Sequence, residues 1–225
     1  MDYILNIHTS TEVAVVNICK EESALGTLTN TDSKQHASFL HEAIHSLLKE
    51  NNIEPNQLAA IGVTEGPGSY TGIRVGLATA KGLCYALNIP LITFSTLEVM
   101  AMGAIDQEQN KEALYCPLID ARRMEVFTSV FDFNLEVRLL AQAIELNEFL
   151  FGNLFVTKEI IMFGSGSDKM QMLRTQPNWR FIDFKNVDTL SLGRISWKRF
   201  QNKEFSDVAL SQPAYLKEFY FPPKK

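Results

Sequence analysis

Gly66-Pro67-Gly68-Ser69-Tyr70-Thr71-Gly72 follows a short apolar run at 59–63 and opens a helix-patterned stretch to about residue 87. Strand, glycine turn and helix in that order make an α/β unit. Glycines at such a turn can bring backbone N–H groups to an anion, or can supply positive φ and close backbone contact. The spacing meets neither G-x-G-x-x-G nor G-x-x-x-x-G-K-[ST], so neither nucleotide fingerprint is present. From the turn onward Gly68, Gly72, Gly76 and Ala80 recur every four residues. Glycine costs about 1 kcal/mol relative to alanine inside a helix, so such a stripe needs a reason. Periodicity leaves two open: tight packing on the chain's own sheet, or close approach of a helix from a partner chain.

Working outward, apolar runs at 3–7, 13–18 and 23–28 read as three strands. Ala37, Leu40, Ile44, Leu47 and Leu48 then mark one helix face, with Asp32 or Ser33 as its cap. A strand at 89–94 precedes a helix to about residue 103, where Ser95 and Glu98 have capping-box spacing. The polar stretch 106–111 breaks the pattern. Beyond it come strands at 113–119, 125–131 and 137–140, a short helix near Leu146, a strand at 159–163 and a helix at 190–200. Ile161-Met162-Phe163 before Gly164-Ser165-Gly166-Ser167 echoes Ile61-Gly62-Val63 before the first glycine turn. The layout predicts a duplicated α/β fold of two lobes, 1–105 and 106–225, with the last helix or tail returning to the first lobe.

The chain has 225 residues and a formal net charge of -5. It is long enough to bury a real core. Its composition excludes disordered and collagenous classes, and its mild acidity argues against a stand-alone nucleic-acid binder. Cys19, Cys84 and Cys116 are scattered and odd in number, which reads as reduced thiols in a cytoplasmic protein. No signal peptide or membrane span is expected.

Three constellations carry potential chemistry. His41-Glu42-Ala43-Ile44-His45 is an H-E-x-x-H on a predicted helix, the zinc metallopeptidase pattern. A catalytic zinc needs a third protein ligand; His8 and His36 are the other histidines, both upstream. Asp120-Ala121-Arg122-Arg123 is a polar turn between strands, able to hold an anion through its arginines or to be a solvated hairpin turn. No Ser/His/Asp set can be placed, and Cys84 sits within an apolar helix, as a packed thiol does.

Residues 66–83, GPGSYTGIRVGLATAKGL, resemble the signature of the bacterial TsaB (YeaZ) family. Residues 4–11, ILNIHTST, resemble that family's first strand and turn; 118–127, LIDARRMEVF, its second-lobe hairpin; and 213–217, PAYLK, its closing motif. The resemblance implies an ASKHA fold, two-lobed like actin and sugar kinases. It implies a non-catalytic scaffold in the complex that places threonylcarbamoyl on N6 of adenosine 37 of tRNA, paired with TsaD and joined by TsaE. On this reading tRNA is met through the complex, and the same helices form a homodimer when the chain is alone. TsaD carries an H-x-x-x-H metal pair; the matching positions are Thr96 and Met100 here, neither a substitute for imidazole. His8 replaces an acidic residue of the ASKHA phosphate turn, and Arg122-Arg123 stand where active relatives have a small glycine-rich turn. No catalytic residue, metal or cofactor is therefore expected. Thr9, Ser10, Gly164 and Gly166 remain as a vestigial nucleotide site. His36, Phe39, Leu40, His41, Ile44, Gly72, Gly76 and Ala80 are expected at the partner interface, so that Gly76→Leu would break pairing and spare the fold. The alternatives are a zinc metallopeptidase and an active ASKHA ATPase or kinase.

Overall fold

The computed structural model describes residues 2–32, 35–146, 157–173 and 176–217. β1 (Tyr3–His8), β2 (Ala14–Lys20) and β3 (Ser23–Asn30) form an antiparallel meander. β4 (Leu58–Gly66) joins the other edge of β1 in parallel, and β5 (Leu91–Ser95) follows it, giving the order β3-β2-β1-β4-β5. β1 and β4 are almost wholly buried, which is why both read as continuous apolar runs. α1 (His36–Glu50) and α2 (Tyr70–Leu87) make the two crossovers of this sheet.

α3 (Thr96–Glu108) leads to the second sheet. Its strands are β6 (Leu114–Asp120), β7 (Glu125–Phe131), β8 (Val137–Glu145), β9 (Ile160–Phe163) and β10 (Trp179–Phe181). The order is β8-β7-β6-β9-β10, antiparallel from β6 through β8 and parallel from β6 through β10. Strand for strand this repeats the first sheet, so the duplication heard in the sequence is a duplication of topology. α4 (Ser167–Gln171) follows β9, and α5 (Thr189–Gln201) comes last.

α3 lies between the sheets. Thr96, Leu97 and Val99–Ile105 are buried, and their core includes Ile4 and Phe94 from one sheet with Tyr115 and Phe163 from the other. A helix buried on every side shows little amphipathic period, so sequence finds it through its neighbours. α5 packs on the first sheet, where Asn17 Nδ2 donates to Thr189 O at 2.8 Å, and on α3, where Arg199 Nη2 meets Glu98 Oε2 at 2.6 Å.

That ion pair corrects the reading of Glu98. Ser95 is the N-cap residue of α3, but its side chain makes no cap bond, and Glu98 serves α5 instead. α1 is likewise preceded by Gln35 as N-cap; Asp32 accepts from Gln35 through its backbone oxygen and its carboxylate. β8 runs on to Glu145, and β10, only three residues long, leaves no periodic trace. Leu146, near which a short helix was expected, follows β8 directly with its N–H donating to Met124 O at 2.6 Å, and residues 147–156 lie outside the described residues. Among those residues no helix is long and apolar enough to cross a membrane.

Candidate functional site

The β1–β2 turn, the glycine turn after β4 and the start of α2 converge at one end of the first sheet. Ser69 caps α2, its Oγ accepting from Gly72 N at 3.3 Å, and Ser69 N donates to Ser10 O at 2.7 Å. Thr9 Oγ1 donates to Gly72 O at 2.6 Å. A methyl at Gly68 would stand 2.9 Å from the carbonyl carbon of Ser10, and one at Gly72 3.1 Å from that of Thr9, each closer still to the oxygen. At Gly76 it would press into Thr9 Oγ1 and sit 3.5 Å from Ile7 Cγ2. The glycine stripe therefore seats α2 on its own β1–β2 turn. Only the internal-packing half of the earlier alternative explains its smallness, and Gly76→Leu becomes a folding defect.

Of the residues expected at a partner, Phe39 is half-buried and His41 exposed, whereas His36, Leu40, Ile44, Gly72, Gly76 and Ala80 are buried inside the chain. What α2 shows outward is another small-residue face, with Ala78, Gly82 and Ala86 exposed and Tyr85 86% exposed. A methyl at Gly82 would meet nothing within 4 Å.

The residues that answer to a phosphate turn are spent on structure. Thr9 and Ser10 are fully buried, and Ser10 Oγ bonds Thr64 Oγ1 at 2.8 Å. His8 is buried between Thr64 Oγ1 (3.0 Å from Nδ1) and Thr11 Oγ1 (2.8 Å from Nε2). Burial, assisted by the nearby His36, pulls its pKa down to about 3, so it is a neutral imidazole at physiological pH. His36 Nε2 lies 3.3 Å from Thr11 O and donates to it, and the buried Nδ1 has no partner among the described residues.

Across the interlobe space Thr96 and Met100 are fully buried, and a methyl at Gly164 would stand 3.0 Å from Met100 Cε. Gly164, with φ of 104°, and Gly166 hold the second glycine loop against β6, where Gly166 N donates to Leu118 O at 2.8 Å. The H-E-x-x-H residues His41, Glu42 and His45 are exposed on α1, and among the described residues no group of three or more His, Cys, Asp or Glu could hold a metal.

The last residues return as well. Residues 206–217 run back across the first lobe into the cleft. Ala214 N donates to Glu65 O at 2.8 Å, the Tyr215 ring stacks on Tyr70 with centroids 5.2 Å apart, and Lys217 pairs with Glu125 of β7 at 2.6 Å. The sequence predicts that the last helix or tail returns to the first lobe, but not that the closing motif meets Tyr70 and Glu125. Between strap, glycine turn and β6–β7 turn lies a cavity of about 410 Å³.

A family model described as tRNA N6-adenosine threonylcarbamoyltransferase (TsaD) matches residues 15–149. Similar proteins include the tRNA threonylcarbamoyladenosine biosynthesis protein TsaB of Bacillus subtilis, 34% identical over 130 residues (58% of this chain, 55% of that protein). The protein of the same name from Haemophilus influenzae is 27% identical over 219 residues, 96% of this chain and 83% of that protein. The match thus spans about half of the first relative and most of the second. Among solved structures, YeaZ from Pseudomonas aeruginosa superposes with a TM-score of 0.81 at 23% identity, over 96% of this chain and all of that one. The two share the duplicated, ASKHA-like α/β fold.

Proposed function

The chain belongs to the TsaB family, and on that premise we propose that it is a non-catalytic scaffold subunit in the biosynthesis of tRNA threonylcarbamoyladenosine, supporting TsaD in the cytoplasm. The observation that carries this reading is the burial of Thr96 and Met100. Where the resemblance puts TsaD's metal-binding pair, Thr96 and Met100 are buried, and Met100 packs at Gly164. The neutral, internally bonded His8 offers no acid or base at the first turn. A chain built so contributes by binding, with residues 1–105 as the partner-facing lobe and 106–225 as the second lobe.

The surface proposed for TsaD is the outward side of α1 and α2. It carries Phe39 and His41 from the expected set and adds Ala78, Gly82, Tyr85 and Ala86. Exposed small residues let a second helix come close, and Tyr85 gives that face a large anchor. The same face would pair two copies of the chain when TsaD is absent, and TsaE would join the TsaD pair. Co-expression with TsaD followed by sizing tests the reading. Ala78→Glu with Gly82→Glu should abolish co-elution while leaving the melting temperature of the isolated chain unchanged. Undiminished co-elution of a folded double variant would refute it.

A further inference from the structure

The strap does more than return to the cleft. Lys81 Nζ donates to Ala209 O and to Ser211 O, both at 3.0 Å, so residues 209–211 lie along one flank of α2. Nearer the start of the helix, Arg74 Nε donates to the Tyr215 hydroxyl at 2.6 Å, and its guanidinium stands 3.9 Å over the Tyr70 ring. The strap thus follows α2 for about two turns, or roughly 10 Å. Arg74 precedes Ala78 by one turn and Lys81 precedes Tyr85 by one turn, so this flank borders the outward face of α2.

The flank holds an apolar side chain out. Asp207 closes a tight turn. Its Oδ1 accepts from Ala209 N at 2.7 Å and from Leu210 N at 2.8 Å, and its backbone oxygen accepts from Ser211 N at 3.0 Å and Ser211 Oγ at 2.6 Å. With Lys81 on the carbonyls to either side, the backbone of Leu210 is fixed, yet its side chain is 75% exposed. Tyr85 and Tyr215 are exposed as well. Single exposed apolar residues are ordinary, but these three border the small residues Ala78 and Gly82 and make a patch. The cations beside it are held by neutral groups. Arg74 bonds a phenol and Lys81 two carbonyls, and among the described residues neither pairs with a carboxylate.

We infer that the strap, through Leu210 and Tyr215, is one wall of the surface that receives TsaD, and that the TsaD segment seated along α2 is a helix with apolar residues toward Leu210 and Tyr85 and a carboxylate toward Arg74 or Lys81. An amphipathic helix is the element that fills a groove of this kind, the small residues of α2 let it come close, and opposite charge at the rim fixes its register. A second copy of the chain, meeting the same patch about a two-fold axis, brings the same two cations with it, so the charge favours TsaD. The inference rests on the pairing with TsaD proposed above and extends it to a segment outside α1 and α2.

The test is titration of the full chain with TsaD at low and high salt, with sizing of the chain alone in parallel. Leu210→Ser, at an exposed side chain, should leave the melting temperature unchanged and weaken TsaD binding about tenfold, the scale of a lost interface anchor. Lys81→Gln should weaken binding mainly at low salt and flatten its salt dependence. Ala78→Glu with Gly82→Glu reports on the pairing itself. Parental affinity for Leu210→Ser, with binding lost in the double variant, would overturn the strap wall while leaving the pairing intact. Full binding by the double variant would remove the pairing and the wall together. An unchanged salt dependence for Lys81→Gln would overturn the carboxylate, and self-association lost by Leu210→Ser at parental TsaD affinity would put a second copy against the strap instead.

Discussion

Gly72 and Gly82 stand on the same helix, and alanine at the two should move stability in opposite directions. At Gly82 the new methyl meets open space, so only backbone and helix propensity count, a gain of about 0.5–1 kcal/mol. At Gly72 the methyl would lie 3.1 Å from the carbonyl carbon of Thr9, closer to its oxygen, and 3.3 Å from Ser69 Cβ. The obstacle is backbone, so α2 must lift off the β1–β2 turn. Overpacking of this kind costs about 1–3 kcal/mol. Displacing Gly72 O from Thr9 Oγ1 leaves a buried hydroxyl without its acceptor, about 1–3 kcal/mol more. After the propensity gain, Gly72→Ala should lose roughly 1–5 kcal/mol. Urea unfolding of both variants, compared at unchanged m-value, measures the difference. Equal midpoints for the two would refute the claim that the stripe is smoothed for the chain's own turn.

The cleft and its neighbours give three further expectations. His8 has a folded pKa of about 3 against an ordinary value of 6.5, so the unfolded chain binds the extra proton. Stability is full above pH 6.5 and falls as pH drops toward 3, by about 2 kcal/mol between pH 6.5 and 5. His8→Asn should flatten that part of the stability–pH curve, and an unchanged slope would rule out His8 as its source. Met100→Ala should cost about 2–4 kcal/mol by leaving a cavity, measured by denaturant unfolding; a change within about 0.5 kcal/mol would show that Met100 is not the plug described. His41→Ala and His45→Ala, both exposed, should each stay within about 0.5 kcal/mol of the parent and leave metal content unchanged, whereas stoichiometric zinc lost with His45→Ala would revive the peptidase reading.

Much of the fold was legible because duplication repeats strong local signals. The apolar runs of β1, β4, β6 and β9 and the two glycine turns can be read without a partner. β10 was missed because Trp179-Arg180-Phe181 is too short to show a period. The α3 cap was misread because Glu98 found a better partner in Arg199, about a hundred residues away in sequence. Sequence also could not say which side of α2 faces solvent. Gly72, Gly76 and Gly82 look alike in one dimension, and only the position of Thr9 separates them. The cavity formed by Arg122, Arg123 and the strap needed three distant segments, of which the sequence marked the glycine turn and the arginine turn as candidate anion sites but gave no sign that they meet.

The proposed role places the chain's contribution on the outward face of α1 and α2 and not at His8 or Met100. The most direct measurement is threonylcarbamoylation of tRNA in a reconstituted mixture containing TsaD, TsaE and this chain. Leaving the chain out, or supplying Ala78→Glu with Gly82→Glu, should abolish modification, whereas His8→Asn and Met100→Leu, once folded, should support the parental rate. Loss of modification with the cleft variants, or full activity with the surface variant, would contradict it.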